Sequence, residues 1–340
     1  MIVLEDSLFH RLDGSIKGLR HAVQAAIELE HATIPPYLYA LYSIKPGKNV
    51  EVAQIIRSVV REEMLHMTIA CNLLNAIGGT PEIDSPGFLP KYPGPLPHSV
   101  QSGLVVTLAP VSIAQVKNVF AKIEEPEIPL DFPDIVLPPT TIGKFYRKIS
   151  DTLKSGDFTG HPKQQVTAAW WPSDQLFPIT DLVSARSAIE IIVEQGEGTK
   201  TSPNDPSLEF AHYYRFEEIV HKHRLIKNPH AGPSTPPNKR YIYRGARIPL
   251  DRKGVQPLIV NPAVKGYPSG SAAAVANDAF NATYTALLHC LQSVFTVNPQ
   301  QLATSIGIME SLKDQALAMS QIPLGTNLYA GPTFEYRKFN

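Results

Sequence analysis

The sequence is short of most of the features that sort proteins quickly. Basic and acidic side chains balance at 31 each, and only 18% of residues are charged, so the electrostatic footprint needed for nucleic acid or an anionic membrane surface is missing. Cysteine occurs twice, at Cys71 and Cys290, each inside an apolar, helix-like run. That excludes a disulfide scaffold and reads as two buried free thiols in a reducing compartment. No apolar run approaches the ~18 residues that span a bilayer. The opening Met1-Ile2-Val3-Leu4-Glu5-Asp6 has neither the basic start nor the apolar core of a secretory signal. The expectation is a cytoplasmic chain with no nucleic-acid or membrane partner, acting on something small or neutral. With 340 residues and 43% hydrophobic content, it is long enough to bury at least one large core.

Proline is the residue in excess. There are 31, nearly twice the usual share of about 5%, and 15 of them fall between Pro81 and Pro178, whereas stretches 15–44 and 50–78 hold only Pro35 and Pro36. This distribution predicts long helices joined by a large irregular insertion. Helical periodicity resumes over about 181–198 and 206–226. Ser112 to Ile123 and Thr141 to Leu153 read as short helices within the insertion. A second Pro- and Gly-rich excursion runs from Asn228 to Pro268, ahead of helices at about 270–295 and 298–321. The predicted architecture is mainly α: a four-helix bundle with a long crossover, 79–180, between its second and third helices, and a C-terminal helical pair. Residues 1–226 form the bundle unit, and 227–340 an extension packed on it.

Periodicity at 100° per residue adds the chemistry. On the first helix Val23, Ala26, Ile27, Ile34, Leu38 and Leu41 share one face, with Glu30 in the middle of it. On the second, Val52, Ile55, Ile56, Val59, Leu73 and Leu74 do so, and Glu63 and His66 lie on the same stripe. With Tyr214 as origin, Glu218 and His221 take the phase on their helix that Glu63 and His66 take on theirs, so the step Glu-x-x-His occurs twice, each time facing inward. The turn Lys45-Pro46-Gly47-Lys48-Asn49 sits midway between Glu30 and Glu63. Ser202-Pro203-Asn204-Asp205-Pro206-Ser207 sits near the midpoint of Glu197 and Glu218, which predicts that each pair lies level along the bundle. Titratable groups in the centre of an apolar stripe are costly unless paired. On the third helix Glu190, Glu194 and Glu197 compete; Glu197 is closest to the stripe and Glu194 is the alternative. Four helices supplying Glu30, Glu63 with His66, Glu197, and Glu218 with His221 form the ligand set of a carboxylate-bridged dimetal site, with iron the first expectation and manganese the second. Tyr37, on the face of Glu30, and Tyr214 are placed to bond ligand carboxylates, to shuttle electrons, or to sit in the core with bonded hydroxyls. His31, His212 and His223 point away from their stripes and read as structural.

The runs Ile27-Glu28-Leu29-Glu30-His31-Ala32-Thr33-Ile34-Pro35-Pro36-Tyr37-Leu38, Arg61-Glu62-Glu63-Met64-Leu65-His66, Glu194-Gln195-Gly196-Glu197-Gly198 and His212-Tyr213-Tyr214-Arg215-Phe216-Glu217-Glu218-Ile219-Val220-His221 resemble the ferritin-like domain of iminophenyl-pyruvate dimer synthases. That domain is also found in violacein and rebeccamycin pathway enzymes. Phe280-Asn281-Ala282-Thr283-Tyr284 and Ala330-Gly331-Pro332-Thr333-Phe334-Glu335-Tyr336 extend the resemblance over nearly the whole chain. It implies a ferritin-like fold, metal held at Glu30, Glu63, His66, Glu197, Glu218 and His221, and a place in secondary metabolism. The expected activity is that of an O2-dependent non-haem dimetal oxidase on a small organic substrate. The alternatives are oxidative coupling of imino acids beside a pathway oxidase partner, ferroxidase work in a homo-oligomer, and a metal-free structural bundle.

Overall fold

Two long antiparallel helices carry the bundle. The computed structural model describes residues 12–99, 103–126, 142–167, 171–198, 202–205, 208–236 and 239–338. Helix α1 spans Ile16–Tyr42, its first turn closed by the Ser15 side chain, which accepts from the Gly18 N–H; such a cap satisfies one of the orphan amides of a helix start. Pro35 and Pro36 lie inside α1. Pro36 has no N–H for the Ala32 carbonyl one turn back, and the Tyr92 hydroxyl from the crossover donates to that carbonyl instead, at 2.6 Å. Helix α2, Val50–Ala76, follows a turn in which Gly47 takes φ +70°.

The crossover is tied to α2 by side-chain amides. Asn72 donates to the Val166 carbonyl at 2.7 Å and accepts from its N–H at 2.8 Å. Asn75 donates to the Gln164 carbonyl of the crossover at 3.3 Å and to the carbonyl of Phe295, from the C-terminal part of the chain, at 2.8 Å. Within the crossover, α3, Ile113–Gln115, runs without a break into a π-helical turn, Val116–Phe120, and on into α4, Ala121–Ile123. Helix α5 follows at Ile142–Thr152. The third bundle helix, α6, is Leu182–Glu197, capped by Asp181, which accepts from the Ser184 N–H at 2.8 Å.

The fourth bundle helix is shorter than the periodicity predicts. Helix α7 spans only His212–His221, where 206–226 is expected. It ends because Lys222 turns into the left-handed region at φ 59°, and the chain leaves as strand β1, His223–Lys227, antiparallel to β2, Tyr241–Arg247. The hairpin was not legible: Leu225, buried here in the strand, also fits a helical stripe, and a five-residue strand gives little period-2 signal. Pro206 and Ser207, expected to open this helix, lie outside the described residues.

Helices α8, Ala272–Thr296, and α9, Leu302–Met319, form the expected C-terminal pair, followed by the short hairpin of β3, Pro323–Gly325, and β4, Leu328–Tyr329. One hydrophobic core fills the bundle and crossover. A second joins Tyr39 and Tyr42 of α1 to Phe280, Tyr284, Leu312 and Phe334, so α1 is buried on both sides. The end of the chain lies extended along α8. Asn277, Asn281 and Thr285 accept from the backbone N–H groups of Thr333, Glu335 and Arg337 at 2.9–3.1 Å. Between the first two of these amides Phe334 takes φ 53° and buries its ring in the second core. No helix among the described residues is long and apolar enough to cross a membrane.

Candidate metal centre

The level of the cluster is set where α1 and α2 run side by side. There the inward positions carry Glu30, Glu63 and His66, which are 7%, 2% and 2% exposed. His66 Nδ1 stands 3.5 Å from Glu30 Oε2. Two further residues reach the same point from elements that the periodicity did not implicate. Glu124 comes from the crossover, directly after α4, and His212 is the first residue of α7. The Nδ1 atom of His212 lies 2.8 Å from Glu63 Oε1 and 3.3 Å from Glu124 Oε2. Potential ligand atoms of Glu30, Glu63 and His66, and likewise of Glu63, Glu124 and His212, lie within 4.8 Å of one another. The two triads share Glu63, and the two imidazoles stack with centroids 5.3 Å apart.

The outward nitrogen of each ring is tied back. Nε2 of His66 lies 3.0 Å from the side-chain oxygen of Gln195, and Nε2 of His212 lies 3.0 Å from Glu62. Glu62 is itself gripped by both terminal nitrogens of Arg215. An oxygen acceptor at Nε2 holds the proton there and leaves the Nδ1 lone pair for the cluster. The carboxylates are oriented in turn: Tyr146 donates to Glu30, Tyr37 to Glu124, and Thr33 to Glu63 at 3.0 Å.

Without cations, protons balance the charge. Burial pushes Glu63 up, and the neighbouring Glu124 charge adds to this, to about 8. Burial disfavours the charged form of His66, but the Glu30 bond and charge outweigh it and raise the ring. Burial likewise opposes charge on His212, and the Glu124 charge with bonds to Glu124, Glu62 and Glu63 raises it well above the usual value. Burial also opposes ionisation of Glu62, yet His212 and Arg215 hold it at about 2. Glu30 is lowered, because His66 and Tyr146 overcome the desolvation.

A cavity of about 50 Å³ opens onto Glu30, Glu63, His66 and Glu124, walled by Leu29, Leu96, Ile123, Ile192 and Val193. At ~10–15 Å³ per water it admits a few small molecules. Glu197 also lines it, and its carboxylate accepts from the Gly143 N–H of α5 at 3.0 Å. A side chain at Gly143 would place its Cβ 2.5 Å from that carboxylate, so the glycine leaves Glu197 room to sit against α5. Glu194 is half-buried, and burial together with the charges of Glu190 and Asp205 raises it.

Glu218 and His221 are not brought to this cluster, which corrects the expectation of a second Glu-x-x-His at the same centre. Glu218 does face inward, 1% exposed, but its carboxylate accepts from the Leu225 N–H at 2.8 Å and pairs with Arg224 at 2.7 Å. It closes the turn from α7 into β1. His221 is half exposed, stacks on Tyr243 at 4.2 Å between ring centroids, and stands 3.3 Å from Glu217. The inward phase on α7 holds for Glu218 and fails for His221, which is exposed, and the level differs for both: the first turn of the helix meets the cluster and its last turn lies beyond it. Glu218→Ala is therefore expected to keep the metal content of the parent protein. It should lose roughly 1–3 kcal/mol of stability through the unpaired Leu225 amide, which thermal unfolding and elemental analysis on one sample would check.

Glu124 and His212 are the residues that the sequence reading missed. The π turn shifts phase between Ile113 and Glu124, so no 3.6-residue stripe leads to Glu124; π turns often mark functional sites. His212 escaped the periodicity because the first five residues of α7 are all buried, so that turn has no solvent face against which an inward one can be read.

Comparison with known proteins agrees with this architecture. No curated protein matches the chain. The crystal structure of a ferritin-like protein from Caulobacter vibrioides is 24% identical over 94% of this chain and 97% of its own, with a TM-score of 0.61, a likeness of fold. The ferritin-like family profile matches residues 23–221, the span that holds both triads, and the chain belongs to the ferritin-like family.

Proposed function

We propose that this chain is a non-haem dimetal oxidase that uses dioxygen on a small organic substrate, with iron as the metal pair and manganese as the substitute. One observation carries the reading: two Glu/His triads share Glu63, and both imidazoles have their outer nitrogens occupied. Three carboxylates and two imidazoles are donors suited to iron and manganese. His66 faces Glu30 and Glu63, and His212 faces Glu63 and Glu124; a purely structural cluster would have to keep these groups as buried ion pairs, which rarely offset their desolvation.

Glu30, Glu63 and His66 would hold one cation, and Glu63, Glu124 and His212 the other. A redox-active pair there supplies binding and reduction of dioxygen coupled to oxidation of a substrate. The chain's own groups do the rest. Tyr146 and Tyr37 keep a proton on the phenol oxygens that face Glu30 and Glu124, where burial raises both phenols well above their usual range. The aliphatic wall keeps bulk water from the cluster. Among the described residues the cavity lining contains no lysine or arginine, which favours a neutral substrate over the carboxylate-bearing imino acids of the dimer synthases. Membership of that subfamily, and a role in secondary metabolism, rest on the sequence resemblance. The test is anaerobic loading with ferrous ion followed by a pulse of dioxygen. Oxygen uptake near one molecule per chain, with a transient change in visible absorbance, is expected; loaded protein that takes up none would refute the reading.

A further inference from the structure

The two triads are built differently. His212 is backed by a carboxylate, Glu62 at 3.0 Å, which Arg215 holds in place. His66 is backed by a neutral amide, Gln195, also at 3.0 Å. An imidazole whose outer N–H points at a carboxylate is the stronger donor through its other nitrogen. The triads also differ in how far they are assembled. Nδ1 of His212 stands 2.8 and 3.3 Å from its two carboxylates, whereas Nδ1 of His66 stands 3.5 Å from Glu30. They differ in access as well: His66 and Glu30 line the cavity along with Glu63 and Glu124, while His212 is fully buried behind them and does not line it.

Resting on the dimetal reading, we propose that the two positions are unequal by construction. The position of Glu63, Glu124 and His212 takes a divalent cation first and holds it more tightly. The position of Glu30, Glu63 and His66 takes the second, exchangeable cation and is the one that meets molecules entering the cavity. Three differences act in the same direction: a more basic ring, a triad already drawn together, and a longer path to solvent. Glu62 and Gln195 are then positioning residues, each acting through its histidine.

Calorimetric titration of the metal-stripped full chain with Co2+, without oxygen and with the visible spectrum followed, tests this. Two binding events at least tenfold apart are expected, with the tighter lost in His212→Ala and the weaker lost in His66→Ala. Glu62→Gln should weaken the tighter event by ~10- to 100-fold, the usual effect of removing such an outer partner, and leave the weaker in place. Gln195→Glu, which disturbs neither Arg215 nor His212, should tighten the weaker event. Two indistinguishable events, a reversed assignment of the histidines, or no tightening in Gln195→Glu would overturn the inequality while the dimetal reading stands. No uptake of Co2+ at all would overturn both.

Discussion

Glu63→Ala is expected to abolish binding at both positions at once, taking metal content from two ions per chain to none, because Glu63 is the one carboxylate common to the two triads. Single losses elsewhere should be partial: His66→Ala leaves the triad of Glu63, Glu124 and His212 complete, and Glu124→Ala leaves that of Glu30, Glu63 and His66. The loss in Glu63→Ala is not a matter of folding. The residue is buried and raised to about 8, so its acid form predominates at pH 7 and its removal strips no full charge from the cluster; what is lost is its bonding to Thr33 and His212, about 1 kcal/mol each. The metal-free variant should therefore unfold within a few degrees of the metal-free parent, and only the parent should gain stability on adding metal, as binding to the native state alone requires. Elemental analysis with and without added metal, and thermal unfolding of the same samples, would decide it. One ion retained in Glu63→Ala would show that the triads do not share it.

Metal loading is expected to release protons and to strengthen as pH rises. His66 and His212 are raised from 6.5, and Glu63 from 4.5 to about 8. Glu63 is largely protonated at pH 7, and the two imidazoles hold their protons to higher pH than free rings do, so a cation must displace them. Each proton released steepens the apparent affinity by about tenfold per pH unit below that group's pKa. The metal-free fold responds in the opposite direction. A group whose pKa is raised on folding stabilises the native state fully below its unfolded value and loses that contribution as pH climbs to its folded value. The Glu63 contribution therefore fades between about 4.5 and 8, and those of the histidines fade above 6.5. Glu62, lowered to about 2, contributes above 4.5 and loses that contribution as pH falls below it. Raising pH from 6 to 8.5 should lower the melting temperature of the metal-free protein and widen its gap from the loaded form. Titrations in buffers of different ionisation enthalpy would count the protons, and a count of zero would contradict the arrangement.

Glu30, Glu63 and His66 were legible in the sequence because α1 and α2 are long, regular and buried along one continuous face, so a charged residue inside the stripe stands out. The long crossover was legible from proline alone, and α8 and α9 from their apolar runs. The other half of the centre was not, for two physical reasons. Hydrophobic phase tells which way a side chain faces but not how far along the bundle it sits; Glu218 faces inward as expected and meets Arg224 and the Leu225 amide rather than the cluster. Periodicity also fails where the helix is not α-helical, and the π turn at Val116–Phe120 separates Glu124 from any stripe that would have marked it. His212 could have been found by its neighbours: an arginine three residues on, Arg215, and the extra acid in Arg61-Glu62-Glu63 supply the buried pair that backs its ring.

The central claim is that two cations sit in adjacent positions that share Glu63. Anomalous diffraction from crystals of the full chain loaded with manganese or iron addresses it directly. Two peaks are predicted, one in contact with His66 and Glu30 and one with His212 and Glu124, both touching Glu63. A single peak, or a peak held by Glu218 and His221, would contradict the account.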